Sequence, residues 1–275
     1  MNNAQPLAQI QRPIVLAGAG KMGGAMLSGW LARGLEPRGV SVIEPDPSDE
    51  IRALVTMGVR LNPSPGDTGS VATLVVALKP QMLREAGAGL KAFAGPSTLV
   101  VSIMAGTPIA AIEQVCGGAV VRAMPNTPAA IGRGITVAVA ATNVSGPQRE
   151  VADALLRATG SVEWIDDEQL MDAVTAVSGS GPAYVFLLAE ELARAGVAAG
   201  LPAGLAEKLA RETVAGSGEL LRRSPLDAAV LSENVTSPGG TTAAALTVLM
   251  GPNGFAALLD KAVAAASARS RELAG

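Results

Sequence analysis

Between Pro13 and Ile165, short β-branched apolar runs alternate with longer stretches of helical pattern, and beyond Asp166 the β signal stops. The runs that read as strands are residues 14–18, 40–44, 72–78, 98–103, 120–123, 135–140 and 162–165. Helical patterns cover 22–33, 49–57, 82–93 and 148–159 between them. Continuous apolar strands alternating with helices imply burial on both faces, hence an α/β fold with a mostly parallel sheet. The remainder is Ala- and Leu-rich helix, broken at 178–182, 200–202, 224–225, 237–240 and 251–254. Several of these breaks have Pro just inside a helix start or Gly just past an end. A chain of 275 residues accommodates two domains, and the expected division is 1–165 and 166–275.

The helical half is too apolar to stand alone. Residues 183–201 and 203–221 carry apolar side chains on more than one face, which requires cover on most sides. A second copy of the chain is the expected cover, making at least a dimer. A membrane is not expected, because Glu190, Glu191 and Arg194 interrupt the most apolar stretch despite a mean hydropathy of +0.36. Residues 1–13 show no basic segment followed by an apolar run, so a cytoplasmic location is expected. With a net charge of −3 and six aromatic residues, nothing marks a nucleic-acid surface. The single cysteine, Cys116, excludes an internal disulfide and any multi-cysteine metal site, and no metal is expected. The absence of histidine removes imidazole triads, imidazole metal ligands and imidazole acid–base chemistry.

The motif Gly18-Ala19-Gly20-Lys21-Met22-Gly23 directly follows the first strand and opens the first helix. In that context G-x-G-x-x-G places a tight turn at Gly18, close approach of a pyrophosphate at Gly20, and helix–strand packing at Gly23. The phosphates then sit on a helix N-terminus. The second strand ends in Glu44, about 20 residues on, where a carboxylate accepts from a ribose 2′-OH and repels a 2′-phosphate. No Arg or Lys lies between Val40 and Ile51 to reverse that preference. Lys79 ends the third strong strand, and the ends of two further strands, at 102–106 and 123–128, line the same crevice, with Asn126 offering an amide. Two small-residue stretches precede helices in the second half, at 178–182 and 236–242. Each reads either as an N-cap with a flexible approach or as a nest of free N–H groups for a carboxylate.

Met-Pro-Asn-Thr-Pro at 124–128, Ser-Gly-Ser-Gly-Pro-Ala-Tyr at 178–184 and Ser-Pro-Gly-Gly-Thr-Thr at 237–242 together resemble the pyrroline-5-carboxylate reductase family. The similarity runs from Ile14 to about Leu273. It implies a Rossmann-like domain followed by an all-α dimerisation domain, and in many members a larger ring of dimers. It implies reduction of 1-pyrroline-5-carboxylate to L-proline by NADH or NADPH, at a site completed by the partner's helical domain. By position, Ala19, Gly20, Lys21 and Met22 fall to the pyrophosphate, and Leu78, Lys79 and Ala105 to the cofactor. Asn126 falls near the nicotinamide. Ser180, Gly240, Thr241 and Thr242 fall to the substrate, with the Thr242 hydroxyl on its ring nitrogen. Members that use NADPH often carry a small or hydroxyl residue where this chain has Glu44.

The resemblance accounts for the missing histidine. A cyclic imine arrives protonated, as an electrophilic iminium, and hydride addition leaves a neutral amine, so no strong acid is needed. Two other readings stay open from residues alone. A β-hydroxyacid dehydrogenase also begins with G-x-G-x-M-G, but it relies on a lysine early in its helical domain, and this half holds only Lys208 and Lys261. A catalytically silent dinucleotide sensor would have no use for a nest of small residues.

Overall fold

The computed structural model describes residues 7–11 and 13–274, so most of the N-terminal stretch read for a targeting signal lies outside the described residues. Eight strands form one sheet: β1 (Ile14–Ala17), β2 (Val40–Ile43), β3 (Arg60–Leu61), β4 (Thr73–Val76), β5 (Leu99–Ser102), β6 (Ala119–Met124), β7 (Gly134–Ala140) and β8 (Gly160–Trp164). Their order is β3-β2-β1-β4-β5-β6-β7-β8. The first six run parallel, β7 is antiparallel to β6, and β8 is parallel to β7. The connecting helices are α1 (Lys21–Ala32), α2 (Asp49–Ala53), α3 (Pro65–Thr68), α4 (Leu83–Lys91), α5 (Ile109–Cys116) and α6 (Gly146–Arg157).

Strand alternation divides the core. Ile14, Leu16, Val40 and Val42 face one side, against Leu27, Trp30 and Leu155. Val15, Ala17, Leu74 and Val76 face the other, against Leu90, Phe93 and Ile112. The central strands are therefore apolar at most positions on both faces, as a sheet covered on both sides demands, with Thr73, Ser102 and Arg122 the buried polar exceptions in β4, β5 and β6. Trp30 sits fully inside with its indole N–H donating to Leu155 O at 2.9 Å, so its one polar atom costs nothing.

β1, β2, β4, β5 and β8 stop one or two residues short of the sequence reading, whereas β6 runs from Ala119 to Met124, one residue beyond it at each end. Gly18, Glu44 and Leu78 lie just beyond the ends of β1, β2 and β4. The two-residue strand β3 carries too short an apolar pattern to be read from sequence. It exists because Arg60 and Leu61 pair with Ser41 and Val42.

The second half is helical: α7 (Met171–Val174), α8 (Gly181–Ala198), α9 (Ala203–Arg223), α10 (Ala228–Asn234), α11 (Thr241–Leu249) and α12 (Phe255–Ala274). By compactness, one unit runs to Gly179 and takes in the chain end from Ser267, and the other is Ser180–Ala266. Within the first unit, Ser270 on α12 donates to Asp172 Oδ1 at 2.6 Å. Within the second, α8 buries no residue and α9 only Ala206 and Ala210. Phe186 is 66% exposed, and Leu187 and Leu192 on α8 and Leu205 and Leu209 on α9 are exposed as well.

Residues 178–182, read as a loop from sequence, are wound instead. Thr175–Gly179 form a π-helical turn, and Ser180 continues in right-handed helical conformation (φ −84°, ψ −24°) into α8. Thr175 Oγ1 donates to Met171 O at 2.8 Å, and the Met124 methyl fills the place a Gly179 side chain would take. Pro182 is tolerated because it sits in the first turn, where no intrahelical donor is needed.

Candidate functional site

Parallel strands bring their carboxyl ends to one edge, and the order reverses direction between β1 and β4, the position where open α/β sheets bind ligands. Five strand ends meet there and carry Gly18–Gly23, Glu44, Leu78–Lys79, Ala105 and Asn126.

The three motif glycines have different reasons. Gly18 has φ +91°, donates its N–H to Ile43 O at 2.9 Å, and would place a Cβ 2.6 Å from Ala77 O. A Cβ on Gly23 would overlap Gly18 O and lie 3.1 Å from Ala77 Cβ. Both are packing requirements. Gly20 differs: its φ of −66° suits any L-residue, and a Cβ there would meet nothing within 4 Å. That open space lies at the N-cap of α1. The first intrahelical bond runs from Gly24 N–H to Gly20 O, so helix geometry leaves the N–H groups of Lys21, Met22 and Gly23 without an intrahelical acceptor. The cradle suits a pyrophosphate: open space at one glycine, aimed donors and the positive end of a helix dipole.

Ala19 is the exception in the loop. Its N–H donates to Glu44 Oε2 at 2.8 Å, and Glu44 Oε1 accepts from Asp46 N–H at 3.3 Å. The half-buried carboxylate is thereby fixed against the glycine-rich loop, and the Ala19 amide is spent on it. At β4, Leu78 is half-buried and Lys79 is exposed, held extended before the turn Pro80–Met82. Ala105 precedes Gly106 (φ +64°), where a Cβ would lie 3.2 Å from Leu273 Cβ and from Ser270 O. Asn126 Oδ1 accepts from Ile135 N–H at 3.0 Å, and its Nδ2 donates to Ser178 Oγ at 3.4 Å. Its amide thus ties the Met-Pro-Asn loop to β7 and to the π-helical turn.

In the second unit, Gly239 takes φ +71° and Gly240 N–H donates to Ser237 O at 3.0 Å. Gly240 is the N-cap of α11, with Thr241 and Thr242 as its first two residues. The first intrahelical bond is from Ala244 N–H to Gly240 O. The N–H groups of Thr241, Thr242 and Ala243 therefore have no intrahelical acceptor, and Thr242 is the second residue of the helix. Ser180 is the N-cap of α8, but in right-handed helical conformation that continues the π-helical turn before it.

Two features of the first unit escaped the sequence reading. Glu168 Oε1 accepts from buried Arg122 Nη1 at 2.8 Å and from Ile109 N–H at 2.8 Å, bracing the start of α5. An arginine inside the apolar run 119–124 was the only signal for it. Asn62, at the end of β3, bonds the backbone of Glu44 and had no signal at all. Among the described residues there is no cluster of three or more His, Cys, Asp or Glu side chains that would hold a metal. Among them, too, no helix is long and apolar enough to cross a membrane.

A family model for pyrroline-5-carboxylate reductase dimerisation matches residues 168–273, and one described as NADP oxidoreductase coenzyme F420-dependent matches residues 13–106. The pyrroline-5-carboxylate reductase of Pseudomonas aeruginosa is 40% identical over 266 residues, covering 95% of this chain and 96% of that one. The Synechocystis enzyme of the same name is 41% identical over 261 residues, covering 94% and 97%. The solved pyrroline-5-carboxylate reductase of Coxiella burnetii superposes with a TM-score of 0.88 at 32% identity, covering 97% of this chain and 100% of that one. The Plasmodium falciparum pyrroline carboxylate reductase, solved with NADP bound, superposes with a TM-score of 0.80 at 29% identity, covering 96% and 99%.

Proposed function

Given that the chain belongs to the pyrroline-5-carboxylate reductase family, we propose that it reduces 1-pyrroline-5-carboxylate to L-proline with the residues assembled at these strand ends and at the start of α11. The observation that carries the assignment is the open pyrophosphate cradle at Gly20 in the first unit, and the reading is supported in the second unit by the helix N-terminus at Gly240, followed by Thr241 and Thr242.

A bound NAD(P)H supplies hydride from its nicotinamide. The N–H groups of Lys21, Met22 and Gly23 hold the pyrophosphate, while Gly18 and Gly23 fix the turn that presents them. Leu78, Lys79 and Ala105 would contact the cofactor, and Asn126 would lie near its nicotinamide. The N–H groups at 241–243, with Gly240 as the close approach, take the substrate carboxylate, and the Thr242 hydroxyl bonds the ring nitrogen. The substrate enters as the iminium, C=N–H⁺. Hydride forms the new C–H bond, the π electrons return to nitrogen, and the product is a neutral secondary amine. This chain's residues accordingly orient and exclude water rather than transfer a proton, a task of proximity that needs no histidine. In this reading residues 1–165 bind the dinucleotide, and residues 166–275 associate with a second copy and bring the substrate nest to its cofactor. The enzyme works in the cytoplasm.

The cofactor is NADH in preference to NADPH. Glu44 is held at the loop, Asp46 follows, and no Arg or Lys lies between Val40 and Ile51. A 2′-phosphate brings roughly two negative charges toward these carboxylates, a repulsion of ~1 kcal/mol or more at an effective dielectric of about 20. The test is to mix protein with 1-pyrroline-5-carboxylate and each cofactor and to follow loss of nicotinamide absorbance. No loss with either refutes the reaction, and a kcat/KM clearly favouring NADPH refutes the cofactor preference.

A further inference from the structure

The β2–β3 ladder ends in an unusual way. Leu61 pairs with Val42, and Asn62 N–H donates to Val42 O at 2.8 Å, as a parallel ladder requires. The next rung would be Glu44 N–H to the main-chain carbonyl of Asn62, and the one after it Ser64 N–H to Glu44 O, but Ser64 N–H donates instead to Asp67 Oδ2 at 3.2 Å. Asn62 instead adopts φ +49°, the one positive φ at a non-glycine residue among those described, which turns its carbonyl away. Its side-chain carboxamide takes over both rungs: Glu44 N–H donates to Oδ1 at 2.8 Å, and Nδ2 donates to Glu44 O at 2.9 Å. A planar amide with one acceptor and one donor reproduces a peptide edge, and asparagine tolerates the left-handed backbone better than other side chains of that kind.

The consequence reaches the cofactor site. Asn62 holds the backbone of Glu44 in strand register beyond the last true rung, and the Glu44 carboxylate in turn reaches Ala19 N–H at 2.8 Å. From that backbone position Glu44 projects at the loop that cradles the pyrophosphate. We infer that Asn62 is a positioning residue for dinucleotide discrimination: its carboxamide clamp fixes the Glu44 carboxylate where a 2′-phosphate would have to sit. The inference rests on the reading that Glu44 faces the ribose, and the experiment below separates the two.

Wild type, Glu44→Ser, Asn62→Gly and the double variant are compared by the ratio of kcat/KM for NADH to that for NADPH. Glycine keeps the left-handed backbone and deletes only the clamp. Asn62→Asp, in which one oxygen still accepts from Glu44 N–H while the other opposes Glu44 O, serves as the second variant. The expected result is that Glu44→Ser narrows the ratio about fivefold or more, and Asn62→Gly narrows it at least threefold through KM for the two cofactors. Adding Asn62→Gly to Glu44→Ser should then change nothing further. A clamp that only stabilises the fold would lower the melting temperature and leave the ratio alone. If Glu44→Ser moves the ratio while both Asn62 variants leave it within twofold, the clamp inference is overturned and the Glu44 reading stands. If Glu44→Ser leaves the ratio unmoved, the reading and the inference fall together.

Discussion

Replacing Gly20 by valine separates the cofactor cradle from the fold. At φ −66° the backbone accepts any L-residue, and a Cβ there meets nothing within 4 Å, so the side chain has no protein atom to displace. Two small effects on stability oppose each other. Removing a glycine from the unfolded chain stabilises by about 0.4–1 kcal/mol, and losing glycine at an N-cap costs a few tenths to about 1 kcal/mol. The net change stays under about 1 kcal/mol, less than ~4 °C in melting temperature for a chain of this size. The same side chain fills the approach to the N–H groups of Lys21, Met22 and Gly23. Losing two charge-assisted hydrogen bonds at about 1.5–3 kcal/mol each weakens NADH binding by roughly 100-fold or more. Gly23→Ala is the contrasting variant. Its Cβ would overlap Gly18 O, and Gly18 cannot retreat because Ala77 O stands behind it. Overpacking of this kind costs about 1–3 kcal/mol, so Gly23→Ala should lose both melting temperature and affinity. Titration of NADH fluorescence, alongside melting followed by circular dichroism, reads both quantities. A folded Gly20→Val protein binding NADH within fivefold of wild type would refute the placement of the pyrophosphate. A Gly23→Ala protein melting with wild type would refute the packing argument.

Thr242→Val keeps the shape of the α11 N-terminus and removes one hydroxyl; kcat/KM for the imine should fall about 5- to 150-fold, equivalent to ~1–3 kcal/mol, with NADH affinity unchanged. Unaltered kcat/KM would make Thr242 a plain helix residue. Phe186→Glu places a charge on the apolar face of α8, and a two-fold contact counts each substitution twice, so light scattering at micromolar concentration should show monomers where wild type shows dimers or more. An unchanged mass would move the interface elsewhere. Burial pushes the Cys116 thiol up from 9.0 to about 11, so native protein should resist iodoacetamide at pH 8 and react only when unfolded. Below pH 9 the thiol is protonated in both states and leaves stability unaffected. Between pH 9 and about 11 only the unfolded chain gives up the proton, so the urea midpoint should decline there, and less steeply in Cys116→Ala.

Much of this architecture is written locally. Most of the seven strands read from sequence are runs rich in β-branched apolar residues, and both faces of β1, Ile14 with Leu16 and Val15 with Ala17, enter a core. The glycine-rich turn is legible because its glycines fall within six residues of one another, directly between a strand and a helix. The excess of apolar residues on α8 and α9 is equally plain, since a helix period is enough to show that one covering face cannot suffice.

What the sequence could not show depends on contacts across large separations. Gly20 and Gly23 look alike in the motif, yet only the position of Gly18 O and Ala77 makes one of them a packing glycine and the other an open cradle. Helical winding through 178–182 was hidden by Ser, Gly and Pro, residues of loop propensity that the packing of Met124 against Gly179 overrides. Glu44 was visible as a carboxylate at a strand end, but its attachment to Ala19 spans 25 residues and its clamp by Asn62 spans 18. Glu168 reaches Ile109 across 59. Propensity and periodicity act over one or two turns of chain, whereas these hydrogen bonds exist only once the sheet has brought distant strand ends to one edge.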